Sequence, residues 1–263
     1  MLSSSSESDS SPQSPLPQAA DLWRDTFHWQ PTLQQTQQFQ QLYELVLAGN
    51  RQFNLTRITN PPEFLEKHLW DSLSGIKPWL ISAPAIAPNA QSPNPFRVLD
   101  IGTGAGFPGL PIAIARPDWH LTLADSTRKK IAFLEHSIAL LHLAQVDALW
   151  GRAEELGQQA THRHRYNLVT IRAVAAATIC AEYALPFLAP NGQAVLYRGH
   201  WSAAEETALA QAAQILGGEI ETIAAFQTPL THSDRHCIYL RKTGPTPPDY
   251  PRAIGIPTQQ PLP

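Results

Sequence analysis

The most constraining feature of the sequence is a glycine-rich run, "VLDIGTGAGFPGLPIAIARP", at residues 98–117. It starts as an apolar stretch ending at Asp100, continues with four glycines in eight positions, and then becomes apolar again. The glycines are Gly102, Gly104, Gly106 and Gly109. Because glycine lacks a Cβ, such a run lets the backbone turn sharply and approach a ligand closely. The run therefore predicts a buried strand, a ligand-binding loop and a helix.

From Phe96 onward, short apolar stretches alternate with longer helical ones. Strands are expected over 96–101, 120–125, 146–151, 167–172, 193–198, 219–226 and 236–242. Helices are expected near 109–115, 128–143, 153–159, 174–188 and 202–216. This alternation predicts right-handed crossovers, whereas the short gap before the last strand requires antiparallel pairing. We expect an α/β fold with a Rossmann-like, mostly parallel seven-stranded sheet whose last strand is antiparallel.

The segments around this domain (96–243) differ in composition. Residues 1–30 are rich in Ser and Pro, which predicts a disordered tail. Residues 31–81 predict a helical segment, since Phe39, Leu42, Tyr43, Val46 and Leu47 form one apolar stripe at helical spacing. Residues 82–95 predict a linker, and 244–263 predict an extended, proline-rich tail.

The composition excludes several classes of protein. A net charge of −3 is not that of a strongly basic nucleic-acid-binding domain, so any RNA contact needs a local basic patch. Two cysteines without paired spacing argue against a disulfide scaffold or a zinc site. No apolar run is long enough to span a membrane, and the N-terminus has neither a secretory signal nor a transit peptide. We expect a cytoplasmic protein that binds no metal.

The glycine run is compatible with two kinds of cofactor. Gly104, Gly106 and Gly109 form a literal G-x-G-x-x-G pattern, which is typical of NAD- and FAD-binding loops. However, the first of these glycines does not directly follow the strand, and Pro108 and Pro111 remove N–H donors that would hold a pyrophosphate.

Counted from Asp100, the run is Asp-x-Gly-x-Gly-x-Gly, which resembles motif I of class I S-adenosyl-L-methionine-dependent methyltransferases. In that reading Gly102, Gly104 and Gly106 pass beneath the methionine half of S-adenosyl-L-methionine. Asp125 ends the next strand, where a carboxylate can accept ribose hydroxyls of either cofactor. Its alternative role is to cap the following helix.

Other candidate cofactor contacts follow the second and third strands. Ser126 and Thr127 are expected to cap the next helix and to lie beside the same ribose, and Ala153 and Glu154 of "GRAEEL" are expected to line an adenine pocket. The Asp125 carboxylate does not distinguish between the two cofactors.

The fourth strand ends in "LVTIRAVA", where such folds carry their chemistry. The D/N-P-P-Y/F turn of amino-methyltransferases is absent, and Cys180 lies inside the next helix, where we expect a buried structural thiol. The strand end offers Arg172 but neither a carboxylate nor a histidine to act as general base. This favours an acceptor with a free lone pair, such as a ring nitrogen, with Arg172 as a positioning group. Alternatively, Arg172 only pairs with a neighbouring acid.

Several segments together resemble one family. They are "NLTRI", "KHLWDSL", the glycine run, "LADSTRKKIAFLE", "GRAEE", "VTIRAVA" and "YPRAIGIP". Over about residues 35–256 they look like the bacterial small-subunit ribosomal RNA guanine-N7 methyltransferases, called RsmG or GidB. The resemblance implies a class I methyltransferase fold and methylation of a guanine N7 in 16S rRNA near the decoding region. The implied cofactor contacts are Gly102, Phe107, Asp125 to Thr127, Ala153, Glu154 and Arg172. Lys67 departs from the family, which often has Arg there.

The resemblance also implies the partner, 16S rRNA or the small ribosomal subunit, and we expect a monomer. A basic patch for RNA is expected from Arg57, Lys67, Arg128, Lys129, Lys130, Arg198 and Arg252, with a solvated surface as its alternative. His68 and Asp71 lie three residues apart on one helix face, where they either make a structural hydrogen bond within the N-terminal helical segment, as we expect, or pack over the active site. The cluster "THRHR" at 161–165 is expected to form a loop. Tyr250, Pro251 and Arg252 either fold back on the domain or touch RNA.

The competing functions are an NAD-dependent oxidoreductase and a non-catalytic, S-adenosyl-L-methionine-binding ribosome assembly factor.

Overall fold

Seven strands form one sheet in the computed structural model, which describes residues 14–81 and 95–263. The strands are β1 (Arg97–Ile101), β2 (His120–Asp125), β3 (Val146–Trp150), β4 (Tyr166–Arg172), β5 (Leu188–Arg198), β6 (Gly218–Gln227) and β7 (Asp234–Lys242). Their order is β3-β2-β1-β4-β5-β7-β6. The strands β1 to β5 pair in parallel, and β7 is antiparallel to both β5 and β6. The predicted fold class is confirmed.

Helices connect and flank these strands. The α-helices are α1 (Ala20–Phe27), α2 (Leu33–Phe53), α3 (Pro61–Phe64), α4 (Asp71–Ser74), α5 (Lys77–Ile81), α6 (Gly109–Ala115), α7 (Arg128–Leu140), α8 (Ala153–Leu156), α9 (Ala177–Ala184), α10 (Ala203–Ile215) and α11 (Ile256–Gln259). A π-helical turn (Leu65–Trp70) joins α3 to α4, and a 3-10 turn (Leu185–Phe187) follows α9. The helix predicted to reach residue 188 thus ends earlier, because Pro186 lacks the N–H that a helix needs.

The sheet separates two hydrophobic cores. Successive residues of β1 point to opposite faces, so Val98 packs with the N-terminal helices, α6 and α7. Leu99 and Ile101 pack on the other face with α9 and α10. Residues 98–101 are therefore buried on both faces, as expected for the continuous apolar stretch at the start of the glycine run.

The N-terminal helices dock against the first face of the sheet. A capping box between Thr32 and Gln35 begins α2, and the predicted apolar stripe of that helix is buried. At the other end of the segment, Tyr197 Oη donates to the Ser72 carbonyl (2.7 Å) and Tyr239 Oη donates to the Gly75 carbonyl (3.1 Å). Two strands thus hold the helical segment directly.

The prediction of a disordered tail through residue 30 is wrong for α1. Trp23 and Phe27 are buried, and Phe27 stacks on Trp70 with ring centroids 5.3 Å apart. One turn of helix separates the two aromatic residues, so both face the core, and this burial outweighs the polar composition around them. Residues 1–13 of the predicted tail, and 82–94 of the predicted linker, lie outside the described residues.

The C-terminal residues 246–259 fold back on the domain, so the predicted extended tail is wrong there. The Arg163 guanidinium donates to four backbone carbonyls, including those of Thr246 (3.0 Å) and Tyr250 (2.6 Å). Arg252 donates to both carboxylate oxygens of buried Glu182. Arg163 belongs to "THRHR", which forms a turn as expected. None of the described helices is both long and apolar enough to cross a membrane.

Candidate active site

The carboxyl ends of the parallel strands meet at one edge of the sheet, where open α/β sheets bind their ligands. Asp100, near the end of β1, accepts hydrogen bonds from the Gly109 N–H (2.9 Å) and from Thr170 Oγ1 (2.9 Å). Its burial raises the pKa of the carboxyl group to about 6. Because these bonds point into the protein, Asp100 ties the glycine loop to the sheet and to the start of α6.

Asp125 holds the glycine loop from β2. One carboxylate oxygen accepts the Gly104 N–H (3.0 Å), the other accepts the Thr127 N–H (2.8 Å), and Lys130 Nζ lies 3.5 Å from the first. A carboxylate has about four lone-pair sites, so Asp125 keeps capacity for further donors. Thr127 occupies the N-cap position of α7, but its side chain makes no capping hydrogen bond there.

A cavity of about 200 Å³ opens beside this carboxylate, and we call it the Asp125 cavity. It is lined by Ile101, Gly102, Ala124, Asp125, Ser126, Gly151, Arg152, Ala153, Glu154, Leu156, Val174, Ala175, Tyr183, Phe187 and Thr258. The structure therefore brings together Gly102, Asp125, Ser126, Ala153 and Glu154 among the predicted cofactor-binding residues. Gly104 and Thr127 contact Asp125 without lining the cavity.

Glu154 forms a buried wall of the Asp125 cavity. One of its oxygens accepts hydrogen bonds from Arg152 (3.0 Å), Tyr183 Oη (3.2 Å) and the Gly255 N–H (3.2 Å). Although burial acts to raise the pKa of Glu154, these hydrogen bonds and the Arg152 charge hold it below its ordinary value. The C-terminal residues reach the cavity through Gly255 and Thr258, which sequence reasoning did not find.

A second cavity, of about 650 Å³, lies on the other side of the β4 end, and we call it the Arg172 cavity. It is lined by Ile58, Lys67, His68, Asp71, Arg172, Ala173, Tyr197, Arg198, Gly199, His200, Glu205, Phe226, Arg235, His236 and Cys237. The cations outnumber the carboxylates along this wall. The end of β4 itself carries neither a carboxylate nor a histidine, but neighbouring elements supply both to the cavity.

The loop after β4 separates the two cavities. Ala173 lines the Arg172 cavity, whereas Val174 and Ala175 line the Asp125 cavity. A Cβ at Gly102 would lie only 2.5 Å from Val174 Cγ2, so this glycine lets the loop sit directly on β1. Consecutive residues of this loop thus line the two cavities, which lie on its two sides.

Arg172 is held by the N-terminal helical segment. Its Nη1 donates to Asp71 Oδ2 (2.8 Å) and to the Lys67 carbonyl (2.9 Å), so the predicted alternative of acid pairing is present. The π-helical turn makes this possible, because the Asp71 N–H bonds back to the Glu66 carbonyl, five residues earlier. The Lys67 carbonyl is then available to Arg172.

Phe107 and His68 pack beneath Arg172. The Phe107 and His68 rings stack with centroids 4.3 Å apart, and the Arg172 guanidinium lies 5.8 Å from the Phe107 centroid. Burial, together with the Arg172 and Lys67 charges, lowers the pKa of His68 to about 3, so its ring is neutral at physiological pH. His68 Nε2 lies 2.8 Å from Thr56 Oγ1, the structural hydrogen bond expected for it. Phe107 and Gly106 lie outside the Asp125 cavity, and their contact with a cofactor stays a prediction.

The predicted basic patch is dispersed in the structure. Lys67 and Arg198 line the Arg172 cavity; Lys67 pairs with Glu63 outside it, and Arg198 pairs with Glu205 in it. Arg252 is engaged with Glu182. The other members of the patch are Arg57, Arg128 and Lys129, which are exposed, and Lys130, beside Asp125. Arg128 lies over the exposed Trp150 ring at 3.9 Å.

Sequence reasoning missed Arg235, His236 and His200. They follow or begin strands far from the glycine run in the chain, and only the position of β7 beside β5 brings them to the Arg172 cavity.

Burial raises the pKa of Cys180 to about 11, in agreement with a structural thiol. In the described part of the chain, no group of three metal-ligating side chains gathers.

Comparison with known proteins gives one family. The family model described as rRNA small subunit methyltransferase G matches residues 35–238. The chain is 54% identical over 248 residues to ribosomal RNA small subunit methyltransferase G of Nostoc punctiforme, covering 94% of this chain and 98% of that protein. It is 52% identical over 241 residues to the protein of the same name from Gloeobacter violaceus, covering 92% and 91%. A putative transferase of Pyrococcus horikoshii has a similar fold, with a TM-score of 0.50, 12% identity, and coverage of 66% and 64%.

Proposed function

The chain belongs to the rRNA small subunit methyltransferase G family, and we propose that it transfers a methyl group from S-adenosyl-L-methionine to N7 of a guanine in 16S rRNA. The observation that carries this proposal is the pair of adjoining cavities at the carboxyl edge of the sheet. One has a carboxylate suited to a ribose, and the other is lined by arginines. Only the loop after β4 separates them.

The residues of the Asp125 cavity fit S-adenosyl-L-methionine. Gly104 has a φ of +62°, and a Cβ there would meet nothing nearer than the Gly102 carbonyl oxygen, at 3.9 Å. The glycine is thus required by its backbone conformation, and it leaves open space above the loop. The start of α6 is poorly suited to hold a pyrophosphate, since Pro108 and Pro111 carry no N–H there.

Each wall of the Asp125 cavity has its own part in cofactor binding. Asp125 and Ser126 accept the ribose hydroxyls, while Ala153 and Glu154 face the adenine. Gly102 lines the cavity and, with Gly104 and Gly106 of the glycine loop beside it, supports the methionine half. When bound, S-adenosyl-L-methionine supplies an electrophilic methyl group on a sulfonium sulfur.

The Arg172 cavity receives the acceptor guanosine. N7 of guanine carries an unprotonated lone pair at neutral pH, so no residue has to remove a proton from it. The chain instead orients the base and its phosphates: Arg172, Arg198 and Arg235 supply cationic donors with planar geometry. His68 is neutral and buried beside them. Arg172 is accordingly a positioning group rather than a base.

The test has a binding arm and a product arm. Calorimetry should detect binding of S-adenosyl-L-methionine and S-adenosylhomocysteine, and no binding of NADH. Incubation with small ribosomal subunits lacking the modification should yield 7-methylguanine in 16S rRNA, located by mass mapping. Binding of NADH alone would favour the dinucleotide-dependent enzyme. Cofactor binding without any methyl transfer to subunits or rRNA would favour the non-catalytic assembly factor.

A further inference from the structure

One carboxylate bridges two guanidinium groups in the Arg172 cavity. Asp71 Oδ2 accepts from Arg172 Nη1 at 2.8 Å, and Asp71 Oδ1 lies 3.4 Å from Arg235 Nε. Asp71 is only 7% exposed. Arg172 comes from the end of β4 and Arg235 from the start of β7, so Asp71 connects two strands that are not neighbours in the sheet.

The chain geometry at Asp71 is specialised for this contact. Asp71 directly follows the π-helical turn, and its N–H bonds to the Glu66 carbonyl. Arg172 Nη1 therefore donates to both the Asp71 carboxylate and the Lys67 carbonyl. π-helical turns are rare and occur frequently at functional sites.

The bridge leaves donors of both arginines for a ligand. Arg172 uses only Nη1, and within residues 14–81 and 95–263 its Nε and Nη2 make no other hydrogen bond. Arg235 donates from Nη1 to the Asp234 carbonyl at 2.9 Å, and its Nη2 has no hydrogen-bond partner in the same part of the chain. Because two guanidinium groups share one carboxylate, the three side chains together keep a net positive charge facing the cavity.

The π-helical turn is itself held in place through Glu66. Glu66 is fully buried, and its carboxylate accepts hydrogen bonds from Thr231 N–H (2.9 Å) and Thr231 Oγ1 (2.6 Å) in the β6–β7 loop. The loop that leads into β7 is therefore tied to the same helical turn that carries Asp71. Both arginines are thus oriented from one element.

Resting on the function proposed above, we propose that Asp71 is a positioning residue for methyl transfer: it aligns Arg172 and Arg235 on the RNA and does not itself bind RNA. Without the Asp71 carboxylate, the Arg172 and Arg235 side chains are held less firmly, so the reacting atoms are aligned less well. A misplacement of about 1 Å can lower a rate by about 100-fold. Removing a negative charge, however, makes the cavity more cationic. RNA affinity should then stay the same or increase.

The test compares Asp71→Asn and Asp71→Ala with the unchanged protein. The measurements are the single-turnover methylation rate at saturating enzyme, the Kd for small subunits, and the Kd for S-adenosyl-L-methionine. We expect the rate to fall by about 10- to 100-fold, with the subunit Kd unchanged or lower and the cofactor Kd unchanged. Asp71→Glu should recover part of the rate.

The matched control is Glu221→Gln, which removes the acid of a half-exposed arginine pair on β6, far from both cavities. Its rate should not change. In an Arg172→Ala, Arg235→Ala background, Asp71→Ala should cause no further loss, because an indirect role disappears with the groups through which it acts.

Several outcomes would overturn the proposal. They are an unchanged rate in Asp71→Asn, a rate loss accompanied by weaker subunit binding, or an undiminished Asp71→Ala effect in the double-arginine background. Circular dichroism and thermal unfolding check that each variant folds. If Asp71→Ala does not fold, the isosteric Asp71→Asn variant decides. Failure of the proposed function is distinguishable, because the unchanged protein would then methylate nothing.

Discussion

At the residue scale, Asp125 contributes to the site through two backbone hydrogen bonds and its free lone pairs. Asp125→Ala should weaken S-adenosyl-L-methionine binding by about 1–3 kcal/mol, because hydrogen bonds to a charged acceptor are lost and the Gly104 N–H loses its partner. Calorimetry measures the change. Asp118→Ala, in a half-exposed pair with Arg116, is the control and should leave the affinity unchanged. An unaltered affinity in Asp125→Ala would contradict the assignment of the cofactor site.

Arg172 donates from Nη1 to two acceptors, and its planar guanidinium group lies over the Phe107 ring. Arg172→Ala should remove most of the methylation activity, and Arg172→Lys should recover little, because an ammonium cannot reproduce the planar fork. Steady-state kinetics with small subunits checks both variants. Arg241→Lys on β7, paired with Glu221 away from the cavities, should behave as the unchanged protein. Full activity in Arg172→Lys would show that only the charge matters.

The pH dependence follows from the acceptor and from His68. Because N7 loses no proton and His68, with its pKa lowered to about 3, stays neutral, the single-turnover rate should be nearly flat between about pH 6 and pH 8. His236 Nδ1 contacts the Gly199 carbonyl oxygen (2.7 Å), so the other ring nitrogen, Nε2, is the candidate for a general base. The variant His236→Gln tests this candidate directly. Asp100 titrates near pH 6 inside the protein, so circular dichroism must accompany the rates. A tenfold rise per pH unit, abolished in His236→Gln, would identify a general base.

At the element scale, one buried ion pair helps to hold the C-terminal residues on the domain. The Glu182 carboxylate is 1% exposed and is paired with Arg252, whose side chain is 22% exposed. Arg252→Ala leaves that charge unpaired and should lower the free energy of unfolding by about 3 kcal/mol. Urea denaturation measures this, and Arg252→Ala combined with Glu182→Gln should cost less than Arg252→Ala alone. Arg24→Ala in an exposed pair should change stability little. Equal losses in the single and double variants would contradict the pairing.

The same elements show where sequence patterns suffice. The helix predicted over 109–115 and the strand predicted over 120–125 have those bounds in the structure. Both elements are indicated by neighbouring residues in the chain, namely the spacing of the apolar residues and the Gly or Asp at the end of the element. The helix α1 was missed because two buried aromatic residues, Trp23 and Phe27, are too few to dominate a Ser- and Pro-rich stretch. The beginning of β5 was missed because residues 188–192 carry Pro190, Asn191 and Gly192, which indicate a turn.

At the scale of the whole molecule, charge limits how the protein finds its RNA. A net charge of −3 leaves only local cations, chiefly around the Arg172 cavity and at the start of α7. Short unstructured oligonucleotides should bind weakly and with strong salt dependence, whereas small subunits or folded rRNA should be methylated efficiently. Single-turnover rates on both substrates at several salt concentrations check this. Equal rates on a short guanine-containing oligomer would contradict it.

The sequence by itself determined the sheet, its antiparallel last strand, and the residues that follow β1, β2 and β3 in the Asp125 cavity. These features depend on neighbours in the chain, because a strand end and its loop stay together in any fold of this class. Only the tertiary structure decided that Asp71, Arg235 and Thr258 line the two cavities and that Gly255 contacts Glu154. Asp71 meets Arg172 across 101 residues of chain, and Gly255 meets Glu154 across another 101. Such contacts leave no local pattern, because they arise from how helices and strands pack once the sheet has formed.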